Sequence, residues 1–238
     1  MNGKRVTVFV GHFGSGKTEI ALNRALDLAA AGELVTIADL DVVKPYFRTR
    51  AARAILSAAG IELLAPTGAN VHADLPIIVP QIRSQLRDGR RRLMIDIGGD
   101  DAGAKVLGSL SDVVPRRDTE CLLVLNFRRP STPDPEHAAA MLREIEAVGR
   151  LPIDGLISNT HLMEETTAEV VLEGYRQAVA TARLVGVPLA AVTVAGGLGA
   201  ELDPGSFECP LIAMRRIVLP PFAQDFERRT TGPLFVVN

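Results

Sequence analysis

The chain contains the segment Gly11-His12-Phe13-Gly14-Ser15-Gly16-Lys17-Thr18, which matches the pattern G-x-x-x-x-G-K-T. The apolar run Val6–Val10 precedes this segment, and an alanine- and leucine-rich stretch, 19–31, follows it. That order predicts a buried strand, a glycine-rich turn and a helix, which is the setting in which the pattern forms a phosphate-binding loop.

The residue types of the loop suit the phosphates of a nucleotide. Successive backbone N–H groups of such a loop converge on the phosphates, and the N-terminus of the following helix adds partial positive charge. Gly14 and Gly16 allow the main chain to approach the ligand without an intervening Cβ. We expect Lys17 to reach the β- and γ-phosphates and the Thr18 hydroxyl to ligate Mg²⁺.

A Rossmann dinucleotide loop is the alternative for a glycine-rich turn after a strand. That fingerprint needs a third Gly or Ala where this chain has Glu19, and it leaves the Lys17-Thr18 pair unexplained. The phosphate-binding loop is therefore preferred. The residues predicted to contact the nucleotide are Gly11, Phe13, Gly14, Ser15, Gly16, Lys17, Thr18, Glu19 and Asn159.

The composition is that of a globular chain without a dominant charge. The 238 residues, 47% of them apolar, fit a single domain over 1–238 with a substantial core. A net charge of −2 gives no global attraction to nucleic acid or to an anionic membrane. The first strand begins almost at the N-terminus and leaves no room for a signal peptide, and no uncharged run is typical of a membrane span. We expect a cytoplasmic protein.

Apolar runs alternate with helical segments along the chain, which predicts parallel βαβ units and a three-layer α/β fold. The sheet is expected to be mostly parallel, to have about seven strands and to carry helices on both faces. The segment Leu75–Leu86 contains Pro76 and Pro80, so its helix is predicted to begin at or after one of them. The predicted strands are Val6–Val10, Leu34–Leu40, Ile61–Leu64, Leu93–Ile97, Glu120–Asn126, Ile153–Ser158 and Leu189–Val194, with Leu211–Leu219 as a candidate edge strand.

Aspartates are predicted at the carboxyl ends of two strands, where open parallel sheets bind ligands. Asp39 and Asp41 end the second strand, and Asp96 occupies the Walker B position in Leu-Met-Ile-Asp. One carboxylate of the pair could hold Mg²⁺ through water while the other orients the attacking water, and Asp96 is expected near the metal. The alternative for the pair is an Asx turn that leads into Pro45.

Asn159 follows the sixth strand, where a side chain that reads the base is expected. An Asn amide can pair with the N6 and N7 edge of adenine. A guanine-reading N-K-x-D motif is not present, because Thr160 and Leu162 stand where Lys and Asp would be needed. Adenine is therefore favoured, with a simple turn asparagine as the alternative and Asn126 as a second candidate contact.

These segments together resemble the MinD/ParA/CobQ-CobB group of P-loop NTPases. The matching stretches are 11–18, 36–41, 95–99 and 156–159, in family order. The resemblance implies a P-loop NTPase fold and a Mg-ATP-dependent switch that often dimerises around two nucleotides and drives a partner. It implies that Asp41 positions the water, with Asp39 and Asp96 around the metal. The expected catalytic residues are Lys17, Asp39 and Asp41, and the expected Mg²⁺ ligands are Thr18, Asp39 and Asp96.

The chain departs from the family at one position of the loop. Many members carry a second, signature lysine one residue after the first loop glycine, and here that position is His12. An imidazole is a weaker phosphate partner than an ammonium group. Lys44 or Arg48 could supply the missing cation, in cis or across a dimer. The C-terminus also lacks the basic amphipathic helix of the membrane-bound members.

The sequence thus predicts an ATPase of this group that uses ATP and Mg²⁺ and acts as a nucleotide switch for a protein partner, as a homodimer. One alternative is an ATP-dependent small-molecule ligase or kinase of the CobQ or dethiobiotin-synthetase type. A further alternative is a nucleotide-binding module with negligible turnover. Nucleic-acid binding is the weakest option, because the arginine clusters show no shared face.

Overall fold

A computed structural model describes residues 3–40, 49–65, 71–99 and 101–218 of the chain, with backbone alone at 49–51, 71–78 and 101. Within these ranges, eight strands form one sheet in which every neighbouring pair is parallel, in the order β3-β2-β4-β1-β5-β6-β7-β8. The strands are β1 Val6–Val10, β2 Val35–Leu40, β3 Glu62–Leu64, β4 Arg92–Ile97, β5 Thr119–Leu125, β6 Gly155–Ser158, β7 Leu189–Ala195 and β8 Leu211–Met214.

Six α-helices in the described residues cover the two faces of the sheet. One apolar cluster joins α1 and α2 to one face, and a second cluster joins α3, α4, α5 and α6 to the other. β1 serves both clusters, because Val8 and Val10 face one layer and Phe9 faces the other. The helices are α1 Lys17–Ala30, α2 Thr49–Ala58, α3 Val71–Asp88, α4 Asp101–Leu110, α5 Pro135–Gly149 and α6 Ala168–Val185.

The three-layer α/β architecture is confirmed, and the sheet has one strand more than the seven that were expected. The extra strand is the candidate edge strand, which is shorter than predicted and ends at Met214. It pairs with β7 in parallel, and Met214, Ile217 and Val218 pack against the layer that contains α1. The end of the described chain therefore lies beside the helix that follows the glycine-rich loop.

The prediction for the proline-containing helix is wrong, because α3 begins at Val71, before both Pro76 and Pro80. Proline in a helix interior removes a hydrogen bond and crowds the preceding turn, at a cost of about 3 kcal/mol. Ile82 and Leu86 on the same helix are buried against the sheet. Burial of each such side chain contributes about 1.5–3 kcal/mol, so packing on the sheet offsets the local penalty.

The strand order fixes what can meet at the glycine-rich loop. The loop leaves β1 in the centre of the sheet, with β4 and then β2 on one side and β5, β6 and β7 on the other. Residues at the carboxyl ends of these strands therefore flank the loop from both sides. In the described part of the chain, no helix combines the length and the apolar character that crossing a membrane requires.

The contact between α6 and the end of β6 gives a test of the packing around the site. An ideal Cβ added at Gly174 would lie 2.2 Å from Cβ and Oγ1 of the buried Thr160, which follows β6. We expect Gly174→Ala to lower the free energy of unfolding by about 1–3 kcal/mol through overpacking, measured by urea denaturation. Gly197→Ala is the control, because its Cβ would meet no described atom within 4 Å. Equal stability of the two variants would contradict the packing.

Candidate functional site

The loop from Gly11 to Gly16 connects β1 to α1 and leaves the N-terminus of that helix without a side-chain cap. Asp134 caps α5 and Thr167 caps α6 through side-chain hydrogen bonds, whereas Gly16 at the cap position of α1 has no side chain to do so. The first N–H groups of a helix attract anions when no side chain satisfies them. The start of α1 is therefore suited to an anionic ligand, as the sequence pattern predicts.

The lysine and the hydroxyl side chains of the loop are buried at the base of this helix. The Lys17 side chain is only 1% exposed, and Ser15 and Thr18 are also buried. The Oγ atom of Ser15 is buried without a hydrogen-bond partner in the described part of the chain. An ammonium group and hydroxyls held this close to an uncapped helix start form a concentrated set of donors for phosphate oxygens.

The segments after β4 and β6 hold carbonyl groups at the two ends of the loop. On one side, the Gly99 N–H after β4 donates to the Gly11 carbonyl at 2.9 Å. On the other side, Asn159 Nδ2 after β6 donates to the Ser15 carbonyl at 2.6 Å. Because these carbonyls are bonded to the surrounding strands, they face away from the space above the loop.

The carbonyl in the middle of the loop is held from β5 by two donors. Asn126 Nδ2 donates to the Gly14 carbonyl at 3.3 Å, and Arg129 Nε donates to the same oxygen at 3.0 Å. The Asn126 side chain is fully buried, and its Oδ1 accepts the N–H groups of Arg128 and His161. Asn126 thus ties the loop to the segments that follow β5 and β6.

Asn159, which was predicted to read the base, has its amide engaged below the loop. Besides the bond from Nδ2 to Ser15, its Oδ1 accepts a hydrogen bond from Thr193 Oγ1 at 2.7 Å. An ideal Cβ at Gly16 would lie only 2.0 Å from Asn159 Nδ2, and Gly16 has φ = +90°. Glycine is therefore the residue that both the backbone conformation and the contact with Asn159 require.

The two described aspartates lie next to each other on neighbouring strands. Asp39 on β2 and Asp96 on β4 are register partners, and both are buried. Each stands two residues after a side chain that packs with α1, namely Ile37 and Met94, so alternation places both carboxylates on the face that α1 covers. The strand ends bring them toward the start of α1, where Thr18 lies.

These residues fit a magnesium ion by the chemistry of their donor atoms. The Thr18 hydroxyl and the carboxylates of Asp39 and Asp96 supply hard oxygen ligands, and Mg²⁺ is usually bound by one or two carboxylates together with waters and phosphates. Two carboxylates side by side in a buried place also favour a cation between them. Asp41, the third predicted aspartate, lies outside the described residues, as do Lys44 and Arg48.

The side chains of the other residues in and next to the loop differ in exposure and in their hydrogen-bond partners. The Phe13 ring is 54% exposed and points to solvent. The Glu19 carboxylate accepts the backbone N–H groups of Ile217 and Val218, so it fastens the chain after β8 to α1. The carbonyl of His12 accepts the Ser15 N–H at 3.1 Å within the loop. For Glu19, the groups that remain available to a nucleotide are therefore those of the backbone.

A cavity of about 380 Å³ opens beside the loop on the side of β6, β7 and β8. It lies on the opposite side of the loop from Asp39 and Asp96, because β1 separates β4 from β5 in the sheet. The residues that line this cavity include Gly14, Gly16, Arg129, Asn159, His161, Thr193 and Arg216.

His161 lines this cavity as a neutral side chain. Burial, together with the charges of Arg129 and Arg216, lowers the pKa of His161 to about 4. Its Nδ1 accepts the N–H of Met163 at 3.3 Å, so the proton of the neutral ring resides on Nε2. The cavity therefore combines three arginines, Arg129, Arg215 and Arg216, with a neutral imidazole that can donate one hydrogen bond.

Arg129, His161 and Thr193 were not predicted as site residues from the sequence. They come just after β5, after β6 and at the end of β7, so their position at strand ends is a signal that could have pointed to them. Asn126 was considered as a polar contact on that ground, and the structure brings it to the loop.

Solved structures with a similar fold are FtsY proteins. The chain matches FtsY of Thermotoga maritima with a TM-score of 0.56 and 19% identity over 84% of this chain and 66% of that one. It matches the signal recognition particle receptor FtsY of Elizabethkingia anophelis in complex with GDP with a TM-score of 0.54 and 19% identity over 82% and 58% of the two chains. FtsY of Mycoplasma mycoides matches with a TM-score of 0.53 and 19% identity over 79% of this chain and 59% of that one.

This similarity establishes that the chain has the P-loop NTPase fold. The chain spans about three fifths of the length of these FtsY proteins, at an identity that concerns the fold alone. No family model and no curated protein matches the sequence.

The neutral state of His161 makes a testable contribution to stability. Between pH 4 and 6.5 the unfolded chain binds a proton at this histidine that the folded chain does not, so the free energy of unfolding falls as the pH falls through this window. The contribution is up to about 3 kcal/mol. We expect His161→Gln to be less sensitive to acidification, as measured by urea unfolding at pH 4.5 and 7.

His137→Gln is the matched control for removal of a histidine, since His137 is exposed in the first turn of α5, outside the cavity. It should keep the pH dependence of the parent chain. If His161→Gln and His137→Gln lose stability equally on acidification, His161 is not held neutral by its surroundings.

Proposed function

We propose that the protein binds a purine nucleoside triphosphate with Mg²⁺ at the loop and hydrolyses its γ-phosphate. One arrangement carries this proposal: an uncapped helix start with a buried lysine, next to two buried aspartates that are register partners. The first supplies donors for phosphates, and the second would supply ligands for a metal ion. The P-loop NTPase fold supports this interpretation.

The two sides of the loop indicate how the nucleotide lies. Asp39 and Asp96 on the side of β4 favour the γ-phosphate end with Mg²⁺, and the cavity on the side of β6 and β7 has room for the nucleoside. The β-phosphate then lies above the loop itself, within reach of Lys17 and the N–H groups of α1. The cavity volume of about 380 Å³ lies within the usual range of small-molecule sites.

The chemical roles follow from this orientation. Lys17 stabilises the charge that develops on the β- and γ-phosphate oxygens, and Thr18, Asp39 and Asp96 would hold Mg²⁺, which would supply positive charge to the phosphates. Asp41, which lies outside the described residues, keeps the role that its motif predicts, orientation of the water that attacks the γ-phosphate in line.

The base is the less constrained part of the proposal. We favour adenine because the sequence lacks the Lys and Asp of a guanine-reading motif after Asn159. The engagement of the Asn159 amide with Ser15 and Thr193 reduces what it can offer to a base. A structural neighbour of the chain was solved with GDP, so the preference for adenine must be tested against guanine nucleotides.

We further propose that the hydrolysis serves as a switch of the MinD/ParA type, in which the triphosphate form dimerises and engages a protein partner. The support is the order of sequence motifs, including the D-x-D segment at Asp39 and Asp41. A molecular mass in solution that is the same with ADP and with a non-hydrolysable ATP analogue would contradict this part of the proposal.

Release of inorganic phosphate from ATP and from GTP, with Mg²⁺ and with EDTA, tests the proposed reaction. We expect hydrolysis of ATP in preference to GTP and only in the presence of Mg²⁺. Lys17→Ala and Asp96→Asn should each lower kcat/KM by at least about 100-fold, because each removes charge stabilisation at the transferring phosphate. Lys105→Ala, on the exposed face of α4, is the control and should keep the parent rate.

Three outcomes would contradict the proposal in different ways. Equal rates in Lys17→Ala, Lys105→Ala and the parent chain would exclude the loop as the site of hydrolysis. A preference for GTP would overturn the adenine assignment. Hydrolysis that an added metabolite stimulates, with a phosphorylated product of that metabolite, would indicate a ligase or kinase of the CobQ or dethiobiotin-synthetase type.

A further inference from the structure

Arg129, in the segment after β5, lies directly against the glycine-rich loop. Its Nε donates to the Gly14 carbonyl at 3.0 Å. The atoms Nε, Cδ and Cζ lie 3.0–3.4 Å from the place that a Cβ on Gly14 would take, so the guanidinium group is packed on the loop backbone. The side chain is half-buried and lines the cavity beside the loop.

Most of the hydrogen-bonding capacity of this arginine is unused by the residues that the structure describes. A guanidinium group has five N–H donors, and in the described part of the chain only Nε has an acceptor. No carboxylate of a described residue lies within ion-pair distance of Arg129, whereas the neighbouring Arg128 pairs with Glu173 at 2.7 Å. The Nη groups of Arg129 are therefore placed beside the loop with donors that face no acceptor of a described residue.

We propose that Arg129 binds the α- and β-phosphates of the nucleotide through these Nη groups. The inference rests on the proposed function, since it concerns the same loop and the same ligand. Guanidinium groups bind pairs of phosphate oxygens through two parallel N–H···O bonds, and a group already fixed through Nε loses less entropy when it does so. Arg129 thus supplies a second phosphate-binding cation, in addition to Lys17, from a segment outside the sequence motifs.

The position of Arg129 in the sheet selects the part of the phosphate chain that it contacts. Arg129 follows β5, on the cavity side of β1, whereas Asp39 and Asp96 lie on the side of β4. A nucleotide with its γ-phosphate near the aspartates and its nucleoside in the cavity presents its α- and β-phosphates to Arg129. These are the phosphates that ATP and ADP share.

The charge of Arg129 already acts on the cavity. It lowers the pKa of His161, together with burial and Arg216, so its field extends into the space beside the loop. The field of a fixed cation in a half-buried place stabilises a phosphate more than the same charge in open solvent does. Arg216 is less available for this purpose, because it pairs with Glu164.

The test is isothermal titration of Arg129→Ala with ATP and with ADP, together with steady-state hydrolysis. We expect the Kd values for ATP and ADP to rise by the same factor, about 10- to 100-fold, since one charge-assisted pair is lost from phosphates common to both. KM should rise while kcat stays within about twofold, because the contact is equal in the ground state and the transition state. If the hydrolysis experiment selects guanine, GTP and GDP replace ATP and ADP.

Arg128→Ala is the matched control, because Arg128 is exposed, pairs with Glu173 and does not line the cavity. It should keep the affinities of the parent chain. Arg129→Lys keeps the charge but not the planar fork, and it should show a smaller rise in both Kd values. This variant also keeps the test decisive if Arg129→Ala does not fold.

Each other outcome overturns the inference. A larger loss for ATP than for ADP would place Arg129 at the γ-phosphate, and a fall in kcat at unchanged affinity would make it a residue that only positions the loop. Unchanged affinities in both Arg129 variants would show that Arg129 does not contact the phosphates. If the parent chain itself binds neither purine triphosphate, the proposed function fails, which is distinguishable from failure of the Arg129 assignment alone.

Discussion

The site depends on hydrogen bonds that hold the carbonyl groups of the loop from neighbouring strand ends. Gly99, Asn126 with Arg129, and Asn159 reach the loop from β4, β5 and β6. A peptide group whose carbonyl is fixed cannot rotate freely, so the orientation of the following N–H is fixed as well. Because buried hydrogen bonds are costly to break without replacement, the sheet imposes the shape of the loop before any ligand arrives.

The same sheet order separates two kinds of charge across the loop. Aspartates come from β2 and β4, and arginines and a neutral histidine surround the cavity near β6, β7 and β8. A metal-bound γ-phosphate and a nucleoside need these different environments. Polarity of this kind arises because β1 lies in the centre of the sheet, so that each neighbouring strand contributes from a fixed side.

The sequence was sufficient for the fold because its main signals are local and repeated. Short apolar runs between helical segments indicate a parallel sheet, and Gly11–Thr18 marks where β1 ends. The start of α3 was mispredicted because a rule for proline is local, whereas the packing of Ile82 and Leu86 is not. The partners of Asn159 and Arg129 depend on which strands come together in the sheet, and their contacts with the loop join residues more than 100 positions apart.

A crystal structure of the protein with Mg²⁺ and a non-hydrolysable purine nucleoside triphosphate is the most direct test of this account. We expect the triphosphate to lie on the loop from Gly11 to Thr18, with the metal beside Thr18, Asp39 and Asp96. The nucleoside should occupy the cavity on the opposite side. A triphosphate bound elsewhere on the protein, or bound at the loop with its nucleoside toward the aspartates, would contradict the account.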